Sequence, residues 1–236
     1  MPTVPRFAVA FLIAASITNP VASPAAVPRA CSIVDSMLSR KAAPRKPPSQ
    51  TATKLTVPRL KILSSKTVFT GRVFHVTRDR VQEPNGVTAI REVIRHSGSV
   101  VVLAVDQSSA EPRILLERQY RYATQDFMLE LPAGRIDPGE LPLAAGKREL
   151  REETGYRASL WKKALFFYPS PGFLEETMTV FLARGLEPGR SQPEDDERIE
   201  HQLVPLSQVL KLIRSGKIRD GKTIASVFWY HEQAGK

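Results

Sequence analysis

The sequence predicts an α/β fold: a mixed β-sheet packed between helices as an α/β/α sandwich, with a small N-terminal β-strand region in front of it. Three observations predict it. Apolar, β-branched runs of strand length recur through residues 67–131 and again through 161–205. One helical stretch, 141–154, separates the two groups. Two further helical stretches, 207–215 and 222–232, close the chain.

Taken in order, residues 1–59 read as a leader and a disordered basic linker, because 38–60 are rich in Pro, Lys and Ser. The folded domain then spans 60–236, with N-terminal strands over 60–97. Residues 67–76 and 87–95 alternate as strands, with Glu83-Pro84-Asn85-Gly86 as a turn. Residues 99–105 and 114–119 are apolar strands around a loop at 106–112, and 127–131 form a short strand. Pro142 suits the first turn of a helix, where its missing N–H costs nothing, and Gly155 is placed to stop that helix in the left-handed conformation. Leu143 and Leu150 are its expected apolar anchors. Residues 161–168, 177–186 and 199–205 are further strands. The helix at 207–215 takes Ser207 as N-cap and Gly216 as stop. The last helix carries Phe228 and Trp229.

The net charge of +10 is unevenly placed. Residues 1–77 hold 11 Lys/Arg and one acid, Asp35, whereas 78–236 hold 23 of each sign. The basicity belongs to the leader, so the domain offers no nucleic-acid-binding face. Apolar residues 7–15 follow Arg6 and are too few for a stable membrane span. They resemble a secretory signal with a small-residue cut near Val21-Ala22-Ser23 or Pro24-Ala25-Ala26. An acid-poor leader with Arg and Ser also fits an organellar transit peptide, and a start at Met37 would remove the segment. A cytoplasmic protein is the expectation, with secreted, periplasmic or organellar locations as alternatives. Cys31 is the sole cysteine, so no intramolecular disulfide is available.

The chemistry concentrates in 23 residues. Gly134 is followed after five residues by Glu140, then after seven by Arg148-Glu149-Leu150-Arg151-Glu152-Glu153-Thr154-Gly155-Tyr156. Glu149 and Glu153 are four apart and Glu149 and Glu152 three apart, so a helix brings all three together. Three like charges that close destabilise an isolated helix, and Arg148 and Arg151 offset part of that. A solvated acidic face would leave Gly134 and Glu140 unexplained. Carboxylates without a nearby His or Cys select hard cations, and Mg²⁺ fits best, with Mn²⁺ as a substitute. The four histidines show no ligand spacing, Ser170 has no His-Asp pattern, and no P-loop is present.

These 23 residues resemble the Nudix box, G-x5-E-x7-R-E-U-x-E-E-x-G-U with U a bulky apolar residue; Tyr156 at the last U is a mild departure. The resemblance implies the Nudix α/β/α fold and hydrolysis of a nucleoside diphosphate linked to another group. It assigns Glu149 and Glu153 as main metal ligands, Glu152 as a shared or water-mediated one, and the Ala133 carbonyl as a further one. Arg148 would orient the glutamates and Glu140 would support the loop.

The flanks narrow the resemblance to the ADP-ribose pyrophosphatase branch. They are Arg118-Gln119-Tyr120-Arg121, Glu130-Leu131-Pro132-Ala133-Gly134 and Ser170-Pro171-Gly172-Phe173, with Pro171 16 residues past Gly155. By this resemblance Arg121 contacts substrate phosphate, since guanidinium matches phosphate oxygens in a planar fork. Arg118 and Pro171 join it on the substrate side. Glu130 is a support or outer ligand beside the metal loop, or a structural strand-end carboxylate. A glutamate on a later loop would act as general base, and Glu197 fits by its place before the strand at 199, with Glu194, Asp196 and Glu200 as alternatives. Phe69, Phe74 and His75 are candidates for stacking on the base, or ordinary sheet residues. The branch also implies a homodimer built by the N-terminal strands. The expected substrate is ADP-ribose or a related nucleoside diphosphate sugar, split to AMP and ribose 5-phosphate. GDP-mannose is the enzymatic alternative, and a nucleotide sensor without hydrolysis is the alternative of another class.

Overall fold

A computed structural model of the chain describes residues 59–192 and 198–234. The described residues form two sheets. Strands β1 (Lys61–Thr70), β2 (His75–Gln82) and β3 (Thr88–Arg95) make an antiparallel three-stranded sheet in that order. The single strand expected over 67–76 is in fact cut by a turn, in which Gly71 N–H donates to the Phe74 carbonyl at 2.9 Å. Gly71 is the only conventional turn residue there, and the apolar Val73-Phe74 that follows it reads as strand, which hides the hairpin. Every residue of β1 is exposed.

The second sheet runs β10-β5-β4-β9-β8, with β6 beside β5 and β7 beside β4. Its strands are β4 (Ser99–Asp106), β5 (Arg113–Arg121), β6 (Asp126–Glu130), β7 (Ala133–Arg135), β8 (Arg157–Phe167), β9 (Met178–Glu187) and β10 (Ile199–Pro205). β4 and β9 are parallel and the other pairs antiparallel, so the sheet is mixed as expected. Three helices cover it: α1 (Pro142–Thr154), α2 (Leu206–Arg214) and α3 (Gly221–Ala234).

β4 explains the layering, because it is buried on both faces. Val101, Leu103 and Val105 pack with Val209, Leu210 and Val227 of α2 and α3. Val102 and Ala104 pack with Leu150 of α1, and Val100 with Ala145. Each such Val or Leu side chain contributes about 1.5–3 kcal/mol by leaving water. The result is the expected α/β/α sandwich. No helix among the described residues is long and apolar enough to cross a membrane.

Two local expectations are corrected. Leu143 is not an anchor of α1: it is 37% exposed, and the packed face is Ala145, Gly146 and Leu150. A Cβ on Gly146 would lie 3.2 Å from Val100 Cγ2, so small residues let the helix sit close on β4. Ser207 does not cap α2, which starts at Leu206 behind Pro205 with no side-chain cap. The Ser207 N–H is taken instead by Glu111 Oε1 at 2.7 Å.

Candidate active site

α1 enters from Leu141 in extended conformation with Pro142 in its first turn, and leaves through Gly155 at φ 77°. Only glycine adopts that φ without strain. These ends fix the register of the helix, and with it Arg148, Glu149, Glu152 and Glu153. All four line one cleft of about 670 Å³ together with Arg121 and with Ala133 and Gly134 of β7.

Arg148 organises the acids. Its Nε donates to Glu140 Oε1 at 3.1 Å and its Nη2 to Glu140 Oε2 at 3.0 Å, a two-point fork. Nη1 donates to Glu149 Oε1 at 2.7 Å and to Glu152 Oε2 at 3.3 Å, and Nη2 also reaches the Arg135 carbonyl at 3.1 Å. Glu140 Oε2 accepts the Asp137 N–H at 3.2 Å, which closes the turn before the helix. The Arg148 hydrogen bonds hold the Glu140 carboxyl below its ordinary range, against the opposing effect of burial. The same bonds to Glu140 raise Arg148 further above its ordinary value.

The loop meets the helix closely. A Cβ on Gly134 would fall 2.0 Å from Glu149 Oε1. Buried Glu153, 4% exposed, accepts the Ala133 N–H through Oε2 at 3.2 Å. Among the described residues no three acidic, His or Cys groups are already gathered as a metal cage, and Arg148 Nη1 donates to both Glu149 and Glu152. The donors nevertheless fit a hard divalent cation. They are all oxygens, and the missing side chain at Gly134 lets the Glu149 carboxylate lie against the backbone next to Ala133.

Strand alternation decides which β5 residues join the cleft. Leu115 packs with Leu150 of α1, so Glu117, Gln119 and Arg121 share the α1 side. Burial opposes the Arg121 charge, but the Glu130 hydrogen bond and the charges of Glu130, Glu117 and Glu153 outweigh it and raise Arg121 above its ordinary value. Arg118, three residues away, lies on the opposite face. It stacks over Phe127 at 3.5 Å and pairs with Glu200 at 3.6 Å, away from the cleft, so it is not brought to Arg121. Pro171 is not brought there either. It is exposed on the β8–β9 loop, whose backbone docks on β3 through Ile94 N–H to the Phe173 carbonyl, 2.8 Å, and Glu175 N–H to the Ile94 carbonyl, 2.9 Å. Glu130 sits behind Arg121 and accepts its Nε at 2.7 Å. Phe69 and Phe74 stack on each other at 5.8 Å outside the cleft lining. Glu197 lies outside the described residues, as do Glu194, Asp196 and residues 1–58 of the 1–59 leader.

Sequence reasoning missed Arg72, Arg135, Asp137 and Gln192, all of which line the cleft. Arg135 and Asp137 stood inside the five-residue gap of the motif and could have been found there. Arg72 comes from the β1–β2 turn, and Gln192 is tied by its N–H to the Glu152 carbonyl at 2.8 Å; neither carries a local signal.

Oxygen-only acids on a helix, facing arginines across a cleft, make a hydrolase that handles phosphate groups with a divalent cation. The chain belongs to the Nudix family: the NUDIX domain matches residues 95–227, and the nucleoside diphosphate sugar hydrolase N-terminal domain matches 60–94. It is 37% identical to an ADP-ribose pyrophosphatase of Bacillus subtilis (strain 168), over 71% of this chain and 90% of that one. It is 36% identical to an ADP-ribose pyrophosphatase of Mycobacterium tuberculosis, over 72% and 82%. A GDP-mannose pyrophosphatase of Salmonella paratyphi B is 37% identical over 56% and 76%. The crystal structure of an ADP compounds hydrolase superposes with a TM-score of 0.66 at 25% identity, covering 75% of this chain and 95% of that one.

Proposed function

We propose that the chain hydrolyses the diphosphate bond of ADP-ribose or a related nucleoside diphosphate sugar, giving AMP and ribose 5-phosphate from ADP-ribose, with Mg²⁺ as cofactor and Mn²⁺ as substitute. The observation that carries the reading is the one cleft lined together by Glu149, Glu152, Glu153, Gly134 and Arg121. The two ADP-ribose pyrophosphatases above support the choice of substrate, and the GDP-mannose pyrophosphatase keeps that sugar nucleotide as the second reading.

Glu149, Glu152, Glu153 and the Ala133 carbonyl would hold the cation. When bound, it neutralises phosphate charge, polarises the P–O bond and lowers the pKa of water. Arg121 grips the diphosphate through its guanidinium. Arg148 holds the glutamates in place, and Glu140 anchors Arg148. Glu197 takes the proton from the attacking water as the anhydride P–O bond breaks, a general-base contribution of about 10²–10⁴-fold.

The exposed apolar side chains of the N-terminal sheet, among them Ile62, Phe69 and Ile90, support a second copy of the chain as partner. Light scattering on the full chain should give twice the 26.2 kDa mass, and a monomer at micromolar concentration would remove the dimer. The cytoplasm, where nucleotide sugars are made and used, is the compartment proposed.

The test is a hydrolysis panel on residues 60–236 with Mg²⁺: ADP-ribose, GDP-mannose, ADP-glucose, NADH and diadenosine polyphosphates, compared by kcat/KM. Preference for ADP-ribose supports the first reading and preference for GDP-mannose the second. Silence with Mg²⁺ and Mn²⁺ refutes both.

A further inference from the structure

Glu130 ends β6 with 2% exposure, three residues before Ala133 of β7, the strand that meets Glu153 and Glu149. Its carboxylate is held from two sides. Oε1 accepts Arg121 Nε at 2.7 Å, and Oε2 accepts the Lys222 ammonium from the first turn of α3. The Lys222 side chain is 9% exposed and also pairs with Asp220 Oδ1 at 3.2 Å. The next residue completes the grip. Thr223 Oγ1 accepts the buried Leu131 N–H at 2.8 Å and donates to Asp220 Oδ2 at 2.6 Å. Asp220 Oδ2 also accepts the Thr223 N–H at 3.0 Å, so the turn is itself fixed. The start of α3 thus fastens residues 130 and 131 from across the sheet.

We propose that Lys222 is a positioning residue for the substrate diphosphate. By occupying one oxygen of Glu130, it limits Arg121 to a one-point hold through Nε and leaves the terminal nitrogens for phosphate. A buried carboxylate without Lys222 takes the guanidinium in a two-point fork instead, which turns those nitrogens from the cleft. The inference rests on the hydrolase reading above for the identity of its ligand.

The experiment compares full-length wild type with Lys222→Met, Lys222→Arg and the double variant Glu130→Gln/Lys222→Met. It measures kcat and KM for ADP-ribose with Mg²⁺, Kd for a methylene-bridged, non-hydrolysable analogue, and Tm. Lys222→Met is expected to raise KM and Kd about tenfold, the loss of one charge-assisted contact, with a smaller change in kcat. Lys222→Arg should recover most of that. Removing one partner of a buried pair can unfold a protein, so the double variant, which removes the Glu130 charge together with that of Lys222 and leaves Arg121 the charges of Glu117 and Glu153, carries the test if Lys222→Met does not fold. It should regain Tm and bring Kd back toward wild type, because an amide with one acceptor oxygen cannot take the fork, and a Kd still raised about tenfold in the folded double variant overturns the proposal. A folded Lys222→Met protein with lowered Tm or kcat whose KM and Kd stay at wild type makes Lys222 merely structural and overturns the proposal. A wild type that binds the analogue but turns nothing over refutes the hydrolase reading alone, because the Kd comparison still reads the clamp. A wild type that does not bind the analogue refutes the clamp.

Discussion

Gly134→Ala separates the site from the fold. The new Cβ would stand 2.0 Å from Glu149 Oε1, where ordinary contact begins at 3.4 Å, so the carboxylate must retreat by about 1.4 Å. The atom in the way is the end of a flexible side chain, and Gly134 is not at positive φ, so the backbone can stay. Retreat breaks the 2.7 Å bond from Arg148 Nη1. A charged hydrogen bond contributes about 1.5–3 kcal/mol, less here because the Arg148 and Glu149 side chains retain 28% and 12% exposure. Alanine returns about 0.4–1 kcal/mol by restricting the unfolded chain. The net change is within about 1 kcal/mol, or roughly 2–4 °C in Tm for a domain of this size. Activity should respond far more, since a 1 Å misplacement of a catalytic group can cost about 10²-fold. Steady-state kinetics with saturating Mg²⁺, set beside a thermal melt, reads both. A folded Gly134→Ala protein with kcat/KM close to wild type would mean that Glu149 at this position does not serve the reaction.

Other substitutions probe the remaining parts. Glu153→Gln keeps the Ala133 contact with a neutral acceptor, so turnover should fall by about 10²-fold or more while Tm is retained, and unchanged turnover sinks the metal assignment. Arg121→Lys removes the planar fork, so KM for ADP-ribose should rise about tenfold with the charge preserved; an unchanged KM places the diphosphate elsewhere. The Glu140 pKa is depressed by Arg148, so its contribution to stability is present above the unfolded carboxyl value and disappears as pH falls through the folded one. Acid titrations of stability should therefore show wild type losing its advantage over Glu140→Gln below about pH 4.5. A constant gap down to pH 2 contradicts that linkage.

Features set by local sequence could be read in advance. Pro142 and Gly155 place both ends of α1 because capping depends on a few adjacent residues, and the spacing of Glu149, Glu152 and Glu153 follows from the helix itself. The period of two along β5 was equally local and already separates Arg118 from Arg121; reading Arg118-Gln119-Tyr120-Arg121 as one motif obscured it. Other features depend on distant partners. Leu143 looked like an anchor, but Gly146 is what packs on β4, and only the sheet position of Val100 reveals that. Lys222 meets Glu130 across 92 residues of chain, so no window of sequence contains the pair. Arg72 reaches the cleft only because the hairpin turn at 71–74 exists, and that turn was hidden.

The charges of the cleft bear on the order of binding. Its lining carries four arginines, Arg72, Arg121, Arg135 and Arg148, and four acids, Asp137, Glu149, Glu152 and Glu153. The walls are balanced before anything enters. A divalent cation alone would leave the cleft positive. A diphosphate alone, with its two negative charges, leaves it negative beside three glutamates. The two together add no net charge, and Arg148 stays anchored on Glu140. Each should therefore tighten the other, and linkage requires the same factor in both directions. Coupling of this kind typically amounts to about 1–3 kcal/mol, or about 5–150-fold. Calorimetric titration of the methylene-bridged analogue with and without Mg²⁺, and of Mg²⁺ with and without the analogue, measures the factor twice. Equal factors well above one fit the balanced cleft. A factor near one would show that cation and diphosphate do not share these walls, and the three glutamates would then need another role.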